Sequence, residues 1–197
     1  MELIFVRHGE TDLNFNKKYQ GRIDTSLNQE GINQAKQLKD KLKNFKIDKV
    51  YTSPLKRTKE TLEILLGDNQ ENISIYEEIR IQEIDFGYWD AVSYDKVMLG
   101  YEKEYEDFLR DYKNFTFPGG ESFRDFYKRC VEFLLDIVDP KSSERVLIAT
   151  HGGVIRVFLC HMLGLSKDMF YNFSVKQGCY TRILVYEGIN LIEEINK

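Results

Sequence analysis

The sequence of 197 residues is poor in the residues that mark several protein classes. It has three cysteines, three prolines and three histidines. An odd number of cysteines without a C-x-x-C pair argues against a disulfide framework and favours a reducing compartment, so we expect a cytoplasmic protein. Because proline is scarce and no tract is compositionally biased, we expect no long Pro-rich linker.

Long apolar runs and an excess of positive charge are also missing. No stretch approaches the roughly 18 apolar residues that span a bilayer, and Met1–Ile4 lacks the basic region that begins a signal peptide. The net charge of -4 provides no overall positive field that could hold a nucleic acid or an anionic membrane. We therefore expect neither nucleic acid nor membrane as a partner.

Short apolar runs alternate with helical patterns along the whole chain. Leu3–Val6 and Val146–Ala149 are typical of strands that are buried on both faces, and Lys49–Thr52 is a weaker third candidate. Between them, apolar residues recur at the helical period, and Ser53 and Ser122 are both interpreted as helix N-caps. The pattern predicts an α/β fold with a mainly parallel sheet flanked by helices.

The length favours one domain over residues 1–197. Residues at about 88–117 fit the alternation least well, because they combine many aromatic side chains with many charges. We interpret them as a helical, lid-like insertion whose aromatics either line a substrate site or form part of the core.

The two strongest predicted strands end in the same dipeptide, a histidine followed by a glycine. One strand continues into Arg7-His8-Gly9 and the other into His151-Gly152, while the third candidate strand places Arg57 in the first turn of the next helix. Ligands of open α/β sheets bind beyond the carboxyl ends of the strands. We therefore expect one crevice to receive two histidines and two arginines.

Such a crevice suits a phosphate group. The guanidinium groups of Arg7 and Arg57 match phosphate oxygens, and glycine after each histidine lets the backbone approach a ligand closely. Arginines next to a histidine favour the neutral imidazole, which leaves one ring nitrogen as a nucleophile. Phosphoryl transfer through a phosphohistidine needs no metal or cofactor, and the sequence offers no metal-ligand spacing.

Other hydrolytic sites fit the sequence less well. The segment around Ser122 lacks the second glycine of G-x-S-x-G, which makes this serine a poor nucleophile. No cysteine begins a C-x5-R loop, and no P-loop motif is present. His161 lies on a mostly apolar helix and is interpreted as a core or boundary residue.

The residues of this crevice belong to longer motifs that follow one another along the chain. The motifs are Arg7-His8-Gly9-Glu10-Thr11 with Asn14; Tyr19-Gln20-Gly21-Arg22 with Asp24 and Leu27; Ser53-Pro54-Leu55 with Arg57 and Thr61; Glu83 before Phe86-Gly87 and Trp89; Pro118-Gly119-Gly120-Glu121-Ser122; and Thr150-His151-Gly152-Gly153-Val154-Ile155-Arg156. In order and spacing they resemble the histidine phosphatase superfamily. The resemblance implies the phosphoglycerate-mutase-like fold, a three-layer α/β sandwich.

The resemblance also implies roles for individual residues. His8 would be the phosphorylated nucleophile and Glu83 the proton donor; from the residues alone, Glu10, Asp85 and Glu121 are equally good acids. Arg7, Arg57 and His151 would complete the catalytic set. The residues expected to bind the phosphate or the substrate are Asn14, Gln20, Gly21, Arg22 and Gly152, although Arg22 is equally suited to pairing with acids.

The superfamily contains phosphatases and mutases, and the motifs favour a phosphatase. The run Glu83–Trp89 is rich in aromatics and has no arginine or histidine, although a second phosphate or carboxylate needs cationic groups. The motifs are most similar to the α-ribazole and broad-specificity phosphatases, except that Trp89-Asp90-Ala91 replaces the usual Trp-Glu-Gly. The alternatives are a phosphoglycerate mutase and a catalytically silent phospho-ligand binding module. The expected partner is a small phosphate monoester, bound by a monomer or homodimer.

Overall fold

The computed structural model describes residues 1–67 and 73–197, and its centre is a mixed β-sheet. Within these residues the sheet has six strands in the order β3-β2-β4-β1-β5-β6. The strands are β1 (Glu2–Arg7), β2 (Lys49–Thr52), β3 (Ser74–Glu77), β4 (Arg145–Thr150), β5 (Tyr180–Tyr186) and β6 (Ile189–Glu194). The first four strands in the order are parallel, whereas β5 and β6 pair in antiparallel fashion. The prediction of a mainly parallel sheet is confirmed.

Strand β1 lies in the interior because both of its faces are covered. Leu3, Ile4, Phe5 and Val6 have no exposed surface. Leu3 and Phe5 belong to one hydrophobic cluster, whereas Ile4 and Val6 belong to a second one on the other face. Successive side chains of a strand point to opposite faces, so a continuous apolar run is what a strand between two helical layers requires.

Helices cover both faces of the sheet. They are α1 (Asp12–Phe15), α2 (Gln29–Leu42), α3 (Lys56–Leu66), α4 (Tyr94–Gly100), α5 (Glu102–Asp111), α6 (Phe123–Ile137) and α7 (Gly152–Met162). Buried residues of α2 and α3 share a cluster with Ile4 and Val6, and those of α6 and α7 pack with Leu3 and Phe5. The three-layer α/β sandwich is therefore confirmed. None of the described helices combines the length and the apolar character that a membrane span requires.

The predicted N-cap of α6 is also present. The Ser122 side chain accepts a hydrogen bond from the Asp125 N–H at 3.0 Å. This bond satisfies one of the backbone donors that the first turn of a helix leaves free.

The segment from about 88 to 117 contains α4 and α5, and its aromatic side chains surround Trp89. The indole of Trp89 has no exposed surface. The rings whose centroids lie 5.4–6.2 Å from it are those of Tyr19, Tyr101, Tyr105, Phe108, Phe115 and Phe117. Since Trp89 shares a cluster with Leu3 and Phe5, these aromatics extend the core on the α6 and α7 side of the sheet.

Replacing Trp89 by alanine tests this role of the aromatic segment. We expect Trp89→Ala to lower the free energy of unfolding by about 3–5 kcal/mol, because it leaves a cavity among packed rings. Tyr88→Ala is the control, since Tyr88 is 66% exposed and should lose less than about 1 kcal/mol. Denaturant unfolding measures both variants, and equal losses would contradict a core role for Trp89.

Candidate active site

The carboxyl ends of β1, β2 and β4 meet at one edge of the sheet, where β4 lies between the other two strands. His8 follows β1 and His151 follows β4; their ring centroids are 5.2 Å apart. The His8 N–H donates to the Thr150 carbonyl at 3.1 Å, and Arg57 reaches the His8 ring from the first turn of α3. The third histidine, His161, lines a separate cavity. The structure thus brings together two of the histidines from distant parts of the sequence.

The hydrogen bonds of the His8 ring define its tautomer. Nδ1 lies 2.8 Å from the Gly9 carbonyl oxygen, which can only accept a hydrogen bond, so Nδ1 carries the proton. Nε2 lies 3.3 Å from Nε of Arg57, which can only donate. Both contacts place the free electron pair of the neutral ring on Nε2.

The surroundings of His8 keep its imidazole neutral. Burial lowers the pKa of His8 well below 6.5, and the positive charges of Arg57 and Arg7 lower this pKa further. The hydrogen bond with Gly9 acts in the opposite direction but does not outweigh them. A buried, neutral imidazole with an oriented electron pair is a competent nucleophile near neutral pH.

His151 is neutral for similar reasons but is held by a different partner. Its Nε2 lies 2.8 Å from the Ser53 hydroxyl, and its buried Nδ1 has no hydrogen-bond partner in the described chain. Burial lowers the pKa of His151 well below 6.5, and Arg57, His8 and Arg7 lower it further.

The role of Ser53 corrects a prediction. Ser53 is not an N-cap, because α3 begins at Lys56 and the residue before it, Leu55, makes no side-chain capping bond. Ser53 lies just beyond β2, where its side chain meets His151 from the neighbouring strand β4. The serine therefore orients a histidine of the site.

Backbone carbonyls hold the guanidinium group of Arg57. Its Nη1 donates to Ile23 O at 2.9 Å and its Nη2 to Gly21 O at 2.7 Å, while Nε faces His8. The side chain is fully buried. Burial is the main cause that lowers the pKa of Arg57 to about 10, so the group keeps its positive charge at neutral pH.

A backbone carbonyl also holds the guanidinium group of Arg7. One of its terminal nitrogens donates to the Val175 carbonyl, and its buried Nε has no partner in the described chain. Burial is the main cause that lowers the pKa of Arg7 to about 10. A Cβ at Gly152 would lie 3.2 Å from the Arg7 guanidinium carbon, so glycine there gives this group its room.

Neither Arg7 nor Arg57 forms an ion pair with a carboxylate in the described ranges. Two charged guanidinium groups beside two neutral imidazoles form a small pocket of positive charge at the sheet edge. Forked donors of this kind match the oxygens of a phosphate group.

Glu83 provides a carboxylate next to this pocket. One of its oxygens accepts a hydrogen bond from the Gly153 N–H at 3.0 Å, and the other accepts one from the N–H of the next residue, Ile84, at 3.2 Å. A Cβ at Gly153 would lie 2.2 Å from a Glu83 carboxylate oxygen, so the glycine leaves room for the carboxylate in its present place. The start of α7 thus fixes the Glu83 carboxylate at Gly153, two residues after His151 in the chain.

Asn14 and Gln20 have partners within their own loop. The Asn14 side-chain oxygen accepts from the Thr11 N–H at 3.3 Å in a capping box at the start of α1. The carboxamide of Gln20 accepts from the Thr11 hydroxyl at 2.9 Å and donates to the Thr25 hydroxyl at 2.6 Å. These bonds shape the loop that follows His8.

Gly21 and Arg22 connect the pocket to a group of acids. The Gly21 carbonyl holds Arg57, and the Gly21 N–H donates to Asp90 at 2.5 Å. Arg22 pairs with Glu121 at 3.5 Å and with Asp85 at 3.8 Å. Of the two alternatives for Arg22, the structure shows the pairing with acids.

A cavity with aromatic walls lies next to Glu83. Besides Glu83 and Gly153, it is lined by one cation, Arg156, whose Nε donates to the Phe173 carbonyl at 2.9 Å. The other lining residues are Ile84, Phe86, Tyr94, Phe117, Phe123, Phe126, Phe170 and Tyr171. The surface next to the carboxylate is therefore mainly apolar.

Arg129 is a residue near the site that the sequence analysis missed. It lies on α6 and binds the backbone carbonyl of Glu83 at 3.1 Å. The signal in the sequence is its position three residues after Phe126, which places an arginine beside the buried stripe of the helix.

The tautomer and charge of His8 can be measured directly. Without phosphate at pH 6.5, we expect the ¹⁵N chemical shifts of the ring to show a neutral imidazole with its proton on Nδ1. Lowering the pH from 7.5 to 5.5 should not protonate the ring, because its pKa lies well below 6.5. A full titration step within this range, or a proton on Nε2, would contradict the geometry; His8→Ala assigns the resonance.

The comparison with known proteins agrees with this geometry. The profile of the Histidine phosphatase superfamily (branch 1) matches residues 3–197. The chain is 33% identical to phosphoserine phosphatase 1 of Hydrogenobacter thermophilus over 197 residues, which cover 100% of this chain and 92% of that protein. It is 28% identical to the adenosylcobalamin/alpha-ribazole phosphatase of Escherichia coli over 196 residues, 100% of this chain and 96% of that protein.

A solved structure gives the same result for the fold. The alpha-ribazole phosphatase from Shigella flexneri superimposes with a TM-score of 0.93 at 27% identity, covering 100% of this chain and 96% of that chain. Sequence and fold agree over the whole length, so the chain belongs to branch 1 of the histidine phosphatase superfamily.

Proposed function

We propose that the protein hydrolyses phosphate monoesters through a covalent phosphohistidine on His8. The observation that carries this proposal is the orientation of the His8 ring, whose Nδ1 is tied to the Gly9 carbonyl while Nε2 faces Arg57. This arrangement keeps the Nε2 electron pair, which accepts a hydrogen bond from Arg57, at the place where the guanidinium groups would hold a phosphate.

The reaction has two steps. In the first, the electron pair on Nε2 of His8 attacks phosphorus, the bond between phosphorus and the ester oxygen breaks, and Glu83 gives its proton to the departing alcohol. In the second, water attacks phosphorus, the bond to Nε2 breaks, and Glu83 takes a proton from the water. The enzyme returns to its starting state, and the products are an alcohol and inorganic phosphate.

Arg7, Arg57 and His151 would hold the phosphate in both steps. The two arginines supply positive charge to the equatorial oxygens, where negative charge is spread in the transition state. His151 supplies a ring nitrogen, and the backbone at Gly152 lies against Arg7. Asn14 is proposed to add its amide group, since its oxygen is the part that binds Thr11.

Hydrolysis is favoured over a mutase reaction by the cavity next to Glu83. A mutase has to retain a second anionic group of its substrate while the phosphate moves. Of the residues that line the cavity in the described chain, Arg156 is the only cation, and most of the others are aromatic. A catalytically silent binding module would have no use for an oriented nucleophile beside a carboxylate.

The cavity also favours one kind of alcohol. Its aromatic walls suit a flat, apolar group, which would stack on the rings next to Glu83. Among the relatives, phosphatases named for alpha-ribazole and for phosphoserine act on very different alcohols. We propose that this chain prefers an ester of the first type, with a bulky, flat alcohol.

Replacing His8 tests the mechanism. We expect His8→Ala to lower kcat for 4-nitrophenyl phosphate by a factor of about 10⁴ or more, because the nucleophile is lost. His161→Asn is the control, since this histidine lies in another cavity and should keep activity within about twofold. EDTA should leave the wild-type rate unchanged. Full activity of His8→Ala, or complete loss with EDTA, would refute the mechanism.

A substrate comparison tests the specificity. We expect kcat/KM for α-ribazole 5′-phosphate to exceed that for L-phosphoserine by about tenfold or more, because the rings around the cavity favour a flat apolar alcohol. Release of inorganic phosphate is the measurement. Faster turnover of phosphoserine would contradict this preference, and isomerisation of 3-phosphoglycerate that far exceeds hydrolysis would establish the mutase alternative.

A further inference from the structure

Arg129 binds the backbone that carries Glu83. From α6, its Nη1 donates to the carbonyls of Arg80 and Gln82, each at 2.7 Å, and its Nη2 donates to the Glu83 carbonyl at 3.1 Å. The same guanidinium group forms a bidentate pair with Glu121 at 2.7 and 2.8 Å. One side chain thus connects two segments that are far apart in the sequence.

The segment around Glu83 depends on this contact because it lies outside regular structure. No helix or strand includes residues 82–86. The carboxylate of Glu83 is held by the Gly153 N–H at the start of α7, whereas its carbonyl is held by Arg129. Glu83 is therefore fixed at both its side-chain and its backbone end.

The chemistry of arginine suits this position. Five N–H donors in one plane can bind a carboxylate and several carbonyls at the same time, which the ammonium group of lysine cannot do. The pairing with Glu121 neutralises the charge, and the Phe126 ring lies 5.0 Å from the guanidinium carbon. Arg129 thus has no unpaired charge to offer a substrate anion, unlike Arg7 and Arg57.

We propose that Arg129 is a positioning residue, which sets the backbone of Glu83 so that its carboxyl group reaches the ester oxygen. The inference rests on the proposed role of Glu83 as proton donor. A loss of position at Glu83 slows the first step only where the departing alcohol needs a proton.

The test uses two esters that differ in this need. The alcohol of phenethyl phosphate departs as an unstable alkoxide unless it receives a proton. The 4-nitrophenolate of 4-nitrophenyl phosphate is a stable leaving group without one. We expect Arg129→Met to lower kcat/KM, which reports the steps up to release of the alcohol, by about 10²-fold for phenethyl phosphate and by less than about fivefold for 4-nitrophenyl phosphate. Glu83→Gln should show the same split, and Arg124→Met, an exposed position on the same helix, should change neither rate.

A double variant and two milder substitutions complete the test. In the Glu83→Gln background, Arg129→Met should lower kcat/KM for phenethyl phosphate by less than about threefold, because both changes remove the same proton transfer to the departing alcohol. Arg129→Lys and Glu121→Gln should show the same difference between the two esters with smaller losses. These two variants carry the test if circular dichroism shows that Arg129→Met is not folded.

The outcomes separate this inference from the proposed function. Equal losses on both esters in the Arg129 and Glu121 variants, together with a split in Glu83→Gln, would overturn the positioning role and leave the role of Glu83 standing. No split in Glu83→Gln would overturn the proton donor itself and the inference with it.

Discussion

The fold holds two positively charged arginines against two neutral histidines at the carboxyl edge of the sheet. Burying a guanidinium group is costly unless its donors are used. Here the carbonyls of Gly21, Ile23 and Val175 accept from Arg57 and Arg7 and offset part of that cost. Because these carbonyls are neutral, the positive charge of the two arginines is not cancelled, and it can attract a phosphate.

The same charge explains why the histidines stay neutral and how the protein should respond to acid. An unfolded chain protonates its histidines near pH 6.5, whereas burial and the arginines lower the pKa of His8 and of His151 well below this value. Since the unfolded state then binds more protons, the free energy of unfolding decreases as the pH falls below about 6.5. The surroundings that keep His8 unprotonated near neutral pH therefore make the fold less stable in acid.

Close contacts at two glycines fix the positions of the groups in this pocket. A Cβ at Gly9 would lie 2.4 Å from the Gly31 carbonyl oxygen, so the loop after β1 rests directly on the start of α2. The Gly9 carbonyl that determines the tautomer of His8 is thereby fixed. At the other side of the site, Gly153 permits the equivalent approach of Glu83 to α7. The two glycines have one physical role, which is to let backbone and functional groups meet without an intervening Cβ.

The sequence predicted the parts of the molecule that local patterns determine. The apolar runs of β1 and β4 and the histidines that follow them could be found, because buried parallel strands have a distinct composition and their ends are functional. Strand β3 could not, since all four of its residues are exposed and it is defined by its pairing with β2. The partners of Ser53 and Arg129 come from other strands and loops, so only the folded chain reveals them.

The site of phosphorylation shows whether Nε2 of His8 is the atom that attacks phosphorus. Mixing the protein with a phosphate ester, quenching in denaturant at alkaline pH within milliseconds and recording ³¹P NMR and peptide mass spectra identifies the modified atom. We expect phosphate on Nε2 of His8. Phosphate on Nδ1, on His151 or on Ser53 would contradict it, as would turnover in which no phosphorylated residue is ever trapped.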